Sequence, residues 1–310
     1  MSKRDFLSID DVTPDELVAL LDGADRHKAD RRPRDTLAGR TVALIFEKPS
    51  TRTRVSFEVA VHELGGHPLP LAGAELQLGR GETLEDTAAV LSRYVHAIVL
   101  RTFAQESLER LARGGTVPVI NALSDYAHPC QALADLQTIR ERKGHLQGIR
   151  LAYLGDGNNV AHSLLFAGAK MGMHVAVATP AGYEPIPQVV RRTTEIAAAT
   201  GGSVELTHDP ATAAKDADVL YTDVWASMGQ ELEHGERALI FKPYQLSTDT
   251  VMAAAPDVMV LHCLPAHRGE EIAAEVMDGP NSAVFDQAEN RLHTQKALLS
   301  WLLTGSADPS

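Results

Sequence analysis

Between Phe46 and Arg54 the chain reads Phe-Glu-Lys-Pro-Ser-Thr-Arg-Thr-Arg, and no other segment concentrates so much anion-binding chemistry. It follows Thr41–Phe46, an apolar run that reads as a buried strand, and opens a helix expected from about Thr51 to Leu64, where Gly65-Gly66 stops it. The first turn of a helix leaves backbone N–H groups unpaired and carries partial positive charge, so it attracts oxyanions. Ser50, Thr51 and Thr53 add hydroxyl donors there, and Arg52 adds a planar guanidinium suited to phosphate. A lone serine at this place would be an ordinary N-cap. Three hydroxyls and two arginines within Ser50–Arg54 point instead to a phosphate cradle. The glycine-rich pattern of a nucleoside triphosphate loop is missing, which excludes that ligand class.

Other reactive residues stand at the ends of expected strands. Arg101 closes Val95–Arg101, and His128 precedes Pro129 where a helix begins. Taken singly, these are a strand-end arginine and a helix cap. Asp223 closes Val219–Asp223, the place where α/β proteins present ligand-binding groups, and a carboxylate there suits an ammonium group. Ser227-Met228-Gly229, just beyond, suits a loop that orders over a ligand. Cys263 follows the strand Val258–His262; a free cysteine is most often a small buried hydrophobe. Gly155-Asp156-Gly157-Asn158-Asn159-Val160 has the outline of a dinucleotide fingerprint, but Val160 replaces the third glycine. The next strand ends in Ala178-Thr179-Pro180, without the acid that would hold a ribose, so a nicotinamide-dependent dehydrogenase is set aside. His62, His67, His96, His174 and His208 show no metal-ligand spacing, and neither a metal nor another cofactor is expected.

Helical and strand signals alternate along the chain, which predicts an α/β fold of two doubly wound parallel-sheet domains joined by helices. In the first half, Thr13 caps a helix with Pro14 at its first position and Leu17, Leu20 and Leu21 on its apolar face. Further helices are expected over Leu84–Tyr94, Glu106–Arg113 and His128–Glu141, with strands at Val95–Arg101 and Val117–Leu123. The polar segment from Glu141 to Gly148 marks the domain change, giving domains of residues 1–142 and 143–286. The second half restarts with strand Ile149–Leu154, helix Ala161–Met171 and strand His174–Thr179, then strands Ser203–Thr207, Val219–Asp223 and Val258–His262. A last helix, about Gln287–Leu303, is expected to pack back on the first domain.

With 29 basic and 41 acidic residues the net charge is −12, which argues against nucleic acid and anionic membranes as partners. An anionic substrate must therefore approach against the global field, and a local cationic cluster has to overcome it. No run of 18 apolar residues suggests a membrane span, and the N-terminus lacks an apolar signal segment. With only Cys130 and Cys263 present, a reducing cytoplasm and two free thiols are expected.

The run Ser50-Thr51-Arg52-Thr53-Arg54 resembles the carbamoyl phosphate signature of the aspartate and ornithine carbamoyltransferases. Arg101, then His128-Pro129-Cys130-Gln131, then His262-Cys263-Leu264-Pro265 follow in that family's order, so the likeness covers essentially the whole chain. It implies that carbamoyl phosphate is bound by Ser50, Thr51, Arg52, Thr53, Gln77, Arg101, His128, Gln131, Cys263, Leu264 and Arg291. Thr53, Arg101 and His128 would face the carbonyl oxygen as an oxyanion hole, and the Gln131 side-chain oxygen would hold the carbamoyl NH₂. Gln77 matches a loop that a neighbouring chain lends, which implies a homotrimer with shared active sites. Asn159 corresponds to a residue on the α-carboxylate side of the acceptor. The spacing Asp-x-x-x-Ser-Met-Gly marks the branch that uses ornithine, so Asp223, Ser227 and Met228 are implied ornithine ligands. The aspartate branch carries His-Pro-x-Pro-Arg where this chain has His262-Cys263-Leu264-Pro265, and acetylornithine enzymes lack the Ser-Met-Gly loop.

The implied reaction is transfer from carbamoyl phosphate to L-ornithine, giving citrulline and phosphate in arginine metabolism, in either the biosynthetic or the degradative direction. A neutral δ-amine would attack directly, with Arg101, His128, Cys263 and Asp223 as the catalytic groups. Cys130 stands where relatives often have threonine and is assigned no chemistry. Putrescine or acetylornithine as acceptor, and a catalytically dead binding relative, are the competing readings. Joint retention of Arg52, Arg101, His128, Asp223, Cys263 and Arg291 speaks against the dead relative.

Overall fold

Thr13 starts the first helix, α1 (Pro14–Ala29), as its N-cap. The Thr13 hydroxyl accepts from the Glu16 N–H at 3.2 Å, and the Glu16 carboxylate accepts from the Thr13 N–H at 2.9 Å. This reciprocal pair satisfies two orphan donors, and Pro14 in the first turn favours the helical φ. Leu17, Leu20 and Leu21 are buried, so the apolar stripe faces the core.

The structure, a computed structural model, describes residues 3–72, 81–226 and 234–308. The chain divides into two units, one of Met1–Gln137 with Glu289–Ser310 and one of Thr138–Ala288. The first unit continues with β1 (Thr41–Phe46), α2 (Thr51–Glu63), β2 (His67–Ala72), α3 (Leu84–Leu91), β3 (Ala97–Arg101), α4 (Gln105–Gly114), β4 (Val119–Leu123) and α5 (Pro129–Lys143). Its strands form a parallel sheet in the order β2-β1-β3-β4. Val42 to Ile45 are fully buried, as a central parallel strand covered on both faces requires. Strand β2 has no counterpart in the sequence pattern, because Pro68 and Pro70 break it. The prolines are tolerated at a sheet edge, where among the described residues β2 pairs only with β1.

The second unit holds β5 (Arg150–Leu154), α6 (Asn159–Lys170), β6 (His174–Ala178), α7 (Pro187–Thr200), β7 (Ser203–Thr207), α8 (Pro210–Ala214), β8 (Val219–Thr222), α9 (His234–Phe241), α10 (Thr248–Ala253), β9 (Met259–His262) and α11 (Ala274–Met277). Its parallel sheet runs β7-β6-β5-β8-β9, and Leu154, Leu220, Val260 and Ile272 lie in one core cluster. The final helix, α12 (Val284–Thr304), leaves this unit at Ala288. Within the first unit, Lys296 pairs with Glu63 at 3.0 Å and Lys28 donates to Asn290 at 2.8 Å. Both chain crossings thus run through helices, α5 and α12. Among the described residues no helix is long and apolar enough to cross a membrane.

Strand order reverses once in each sheet, between β1 and β3 and between β5 and β8. At such a switch point the outgoing loops diverge and leave a crevice at the carboxyl ends of the strands. The Glu47–Arg54 segment leaves β1 and Arg101 ends β3; Gly155–Asn158 leaves β5 and Asp223 follows β8. Topology therefore gathers the reactive residues at one crevice in each unit.

Candidate functional site

In the first unit, Ser50 is the N-cap of α2 with extended backbone, and its side chain makes no capping hydrogen bond. Thr51 and Arg52 are exposed, whereas Thr53 is buried. Arg291 on α12 donates from Nη2 to Thr53 Oγ1 at 3.2 Å and from Nη1 to Gln131 Oε1 at 2.7 Å. Gln131 Nε2 donates one turn along α5 to Asp135 Oδ1 at 2.8 Å. Gln131, Asp135 and Arg291 are all buried, so the bond series fixes the amide orientation of Gln131. The oxygen that the family likeness offers to a carbamoyl NH₂ is the one Arg291 holds.

Arg101 and His128 are buried in the same unit. Burial, and then the charges of Arg291, Arg101 and Arg52, hold the His128 pKa well below the ordinary histidine range. His128 is therefore neutral at neutral pH, beside the cationic cluster that the net charge demands. The loop carrying this chemistry is pinned to the end of β3. The Glu47 N–H donates to the Arg101 carbonyl at 2.9 Å, and the Glu47 carboxylate accepts from the Thr102 hydroxyl. Lys48 pairs with Asp125 at 2.7 Å, its ammonium 3.8 Å from the Phe103 ring centroid. Sequence reasoning missed Glu47 and Lys48, although both lie inside the segment it singled out.

In the second unit Asp223 is buried at the end of β8. Its Oδ1 accepts from the Cys263 thiol at 2.9 Å and from the Val224 N–H at 2.8 Å, and its Oδ2 accepts from Asn158 Nδ2 at 2.9 Å. Asn158 is also the N-cap of α6, accepting through Oδ1 from the Val160 and Ala161 N–H groups. Asn159, the residue selected from the sequence, is the first residue of α6 and half-buried. The neighbouring Asn158 anchors Asp223, a role visible only once β5 and β8 are adjacent.

Leu264 follows Cys263 with φ 57°, and the Leu264–Pro265 peptide is cis. The Leu264 N–H donates to His262 Nδ1 at 2.8 Å, so the ring carries a proton on Nε2, which faces Glu271 Oε1 at 3.1 Å. Burial raises the Glu271 pKa, but hydrogen bonds from His262 and the His267 N–H outweigh it and leave the group below its ordinary range. Among the described residues, Asp223–His262–Cys263 and His267–Glu270–Glu271 each bring three potential metal-ligand atoms together. In the first group, His262 and Cys263 are engaged by the protein bonds just described. Gln77, Ser227 and Met228 lie outside the described residues.

Both cysteines are free. Cys130 is fully buried, its thiol facing the Asn121 carbonyl at 3.4 Å; burial, partly offset by Arg291, pushes its pKa up to about 12. Cys263 is partly exposed. Iodoacetamide is expected to alkylate Cys263 in the native protein and to reach Cys130 only after denaturation. Peptide mass spectrometry checks this; equal native labelling of the two would contradict the packing around α5.

The family model described as "Aspartate/ornithine carbamoyltransferase, carbamoyl-P binding domain" matches residues 4–141. A second, described as "Aspartate/ornithine carbamoyltransferase, Asp/Orn binding domain", matches residues 147–302. An ornithine carbamoyltransferase of Parafrankia sp. is 66% identical over 307 residues, covering 98% of this chain and 97% of that protein. The solved ornithine carbamoyltransferase of Pyrococcus furiosus is similar with a TM-score of 0.95 at 57% identity, 98% of each chain being covered. The anabolic ornithine carbamoyltransferase of Campylobacter jejuni gives a TM-score of 0.91 at 39% identity, over 96% of this chain and 98% of that one.

Proposed function

The chain belongs to the aspartate/ornithine carbamoyltransferase family, and on that premise we propose that it carries the carbamoyl group of carbamoyl phosphate to the δ-amine of L-ornithine, yielding citrulline and phosphate. The observation that carries this reading is the pair of bonds by which buried Arg291 holds Thr53, in the first turn of α2, and Gln131, in the first turn of α5, within the unit where Arg291, Arg101 and Arg52 disfavour the charged form of buried His128. Carbamoyl transfer requires a held phosphate and a carbonyl oxygen stabilised as it becomes an oxyanion. Ser50, Thr51, Arg52, Thr53 and Arg291 take the phosphate, where the first turn of α2 supplies backbone donors. Arg101 and His128 face the carbonyl oxygen, and donors fixed before the reaction cost no reorganisation during it. Gln131 Oε1 has two lone pairs, so it accepts from Arg291 and from the carbamoyl NH₂ together.

Asp223 selects a cationic acceptor and repels a second carboxylate such as that of aspartate. With Asn159, Ser227 and Met228 it holds ornithine, while Cys263 and Leu264 border the δ-amine and the carbamoyl group. An alkyl ammonium titrates near 10.4, so presenting the neutral amine at pH 7 costs about 4–5 kcal/mol unless the site lowers that value. Gln77 is lent by a neighbouring chain, so the native mass should be close to three times 33.4 kDa. The setting is arginine metabolism in the cytoplasm.

The test is acceptor competition in a purified sample supplied with carbamoyl phosphate. Ornithine should be preferred over N-acetylornithine, putrescine and aspartate by at least roughly a hundredfold in kcat/KM, with citrulline and phosphate formed in equal amounts. Carbamoylation of a different acceptor would overturn the acceptor assignment, and no product from any would overturn the transferase reading.

A further inference from the structure

At the crevice between β5 and β8, one buried arginine ties together the two segments that bear the acceptor-side residues. Arg237 on α9 is 4% exposed. Its Nε donates to the Trp225 carbonyl, two residues beyond Asp223, and its Nη2 donates to the Asp156 carboxylate. Asp156 sits in the turn that leads from β5 to Asn158 and Asn159. The guanidinium carbon lies 4.8 Å from the Tyr183 ring centroid and 5.1 Å from that of Phe241. Phe241 in turn packs edge-on against Tyr183 at 4.8 Å and stacks on Trp225 at 6.3 Å. An arginine so far withdrawn from water is expensive unless its partners fix it, and here a carboxylate, a carbonyl and two aromatic faces do so.

Charge adds a second consequence. Burial lifts the Asp156 carboxyl above its ordinary range, Arg237 pulls it down, and the Asp223 charge lifts it again. Asp156 therefore lies within reach of the Asp223 charge, and Arg237 pairs with it.

We propose that Arg237 is a positioning residue for the amino-acid acceptor. It clamps the Trp225 peptide to Asp156, which holds Asp223 and the start of α6 at the spacing one acceptor needs. It also neutralises Asp156, leaving Asp223 to meet the acceptor's ammonium. This rests on the reading that the second unit takes ornithine.

The test compares Arg237→Gln, Arg237→Lys and the double variant Arg237→Gln/Asp156→Asn in steady-state assays and thermal melts. Arg237→Gln should raise the KM for ornithine by roughly tenfold or more, with the KM for carbamoyl phosphate within about twofold of wild type. Arg237→Lys, which keeps charge but loses the fork, should fall between, and the double variant should recover part of the ornithine KM. A purely structural role would lower the melting temperature and leave the ornithine KM unmoved, which overturns the proposal. Equal damage to both substrates also overturns it. If Arg237→Gln does not fold, Arg237→Lys decides alone: a raised ornithine KM supports the clamp and an unchanged one refutes it. Absence of citrulline from the wild-type protein would instead refute the ornithine reading itself, so the two failures are distinguishable.

Discussion

Arg101→Met is expected to lower kcat by about 10²–10³-fold with the fold intact, because it removes one fixed donor from the carbonyl oxygen as charge develops there. Arg101 ends β3 at 9% exposure, and its carbonyl accepts from the Glu47 N–H, a bond the substitution leaves in place. Methionine fills much of the volume of the arginine stem without its charge. His128 would feel one cation fewer, yet its burial alone disfavours the charged form, so no new acid is created at neutral pH. Saturating kinetics and a circular dichroism melt check the result. A loss under tenfold in a folded variant would remove Arg101 from the transition-state contacts.

Asp223→Asn is the corresponding substitution in the second unit, and its damage should fall on ornithine. Asp223 accepts from the Cys263 thiol, the Val224 N–H and Asn158 Nδ2. Asparagine matches its shape, but its NH₂ must face one of those donors, and the negative charge is gone. Losing one partner of a desolvated charge pair costs ~2–5 kcal/mol, so kcat/KM for ornithine should drop by at least roughly thirtyfold. The Kd for carbamoyl phosphate should stay within about twofold. A parallel loss of carbamoyl phosphate affinity would mean that Asp223 does not discriminate between the substrates.

The elements read most directly from sequence are those whose pattern is local. The apolar run Thr41–Phe46 is β1 without change, and Ser203–Thr207 is β7. The helix at Thr51 ends at Glu63, one residue short of the expected Leu64, and the last helix begins at Val284 rather than Gln287. Strand β2 was hidden by two prolines, because edge position is a property of the sheet and not of the segment. The short helices α8, α9 and α10 carry too few turns for a periodic stripe to stand out. Ser50–Arg54, Arg101, Asp223 and Cys263 were visible because each lies at a strand end or in a dense polar run. Asn158, Asp156 and Arg237 were not. Asn158 meets Asp223 from 65 residues away, and Arg237 meets Asp156 from 81. Such pairs exist only after β5 and β8 have become neighbours.

The same charges are expected to set the order in which the proposed substrates bind. On the proposed reaction the ligands must meet, so a cationic ornithine would feel the positive charge that Arg52, Arg101 and Arg291 already exert on His128, within a chain of net charge −12. Bound carbamoyl phosphate would offset most of that positive charge and present its own anionic phosphate to the incoming cation. Two opposite charges ~5 Å apart at an effective dielectric of ~20 attract by about 3 kcal/mol before screening. Isothermal titration calorimetry of each substrate into the ligand-free protein tests this most directly. Carbamoyl phosphate should give a saturable heat, and ornithine none at concentrations around its KM. Saturable ornithine binding to the free protein, at a Kd near that KM, would contradict a site in which the anion comes first.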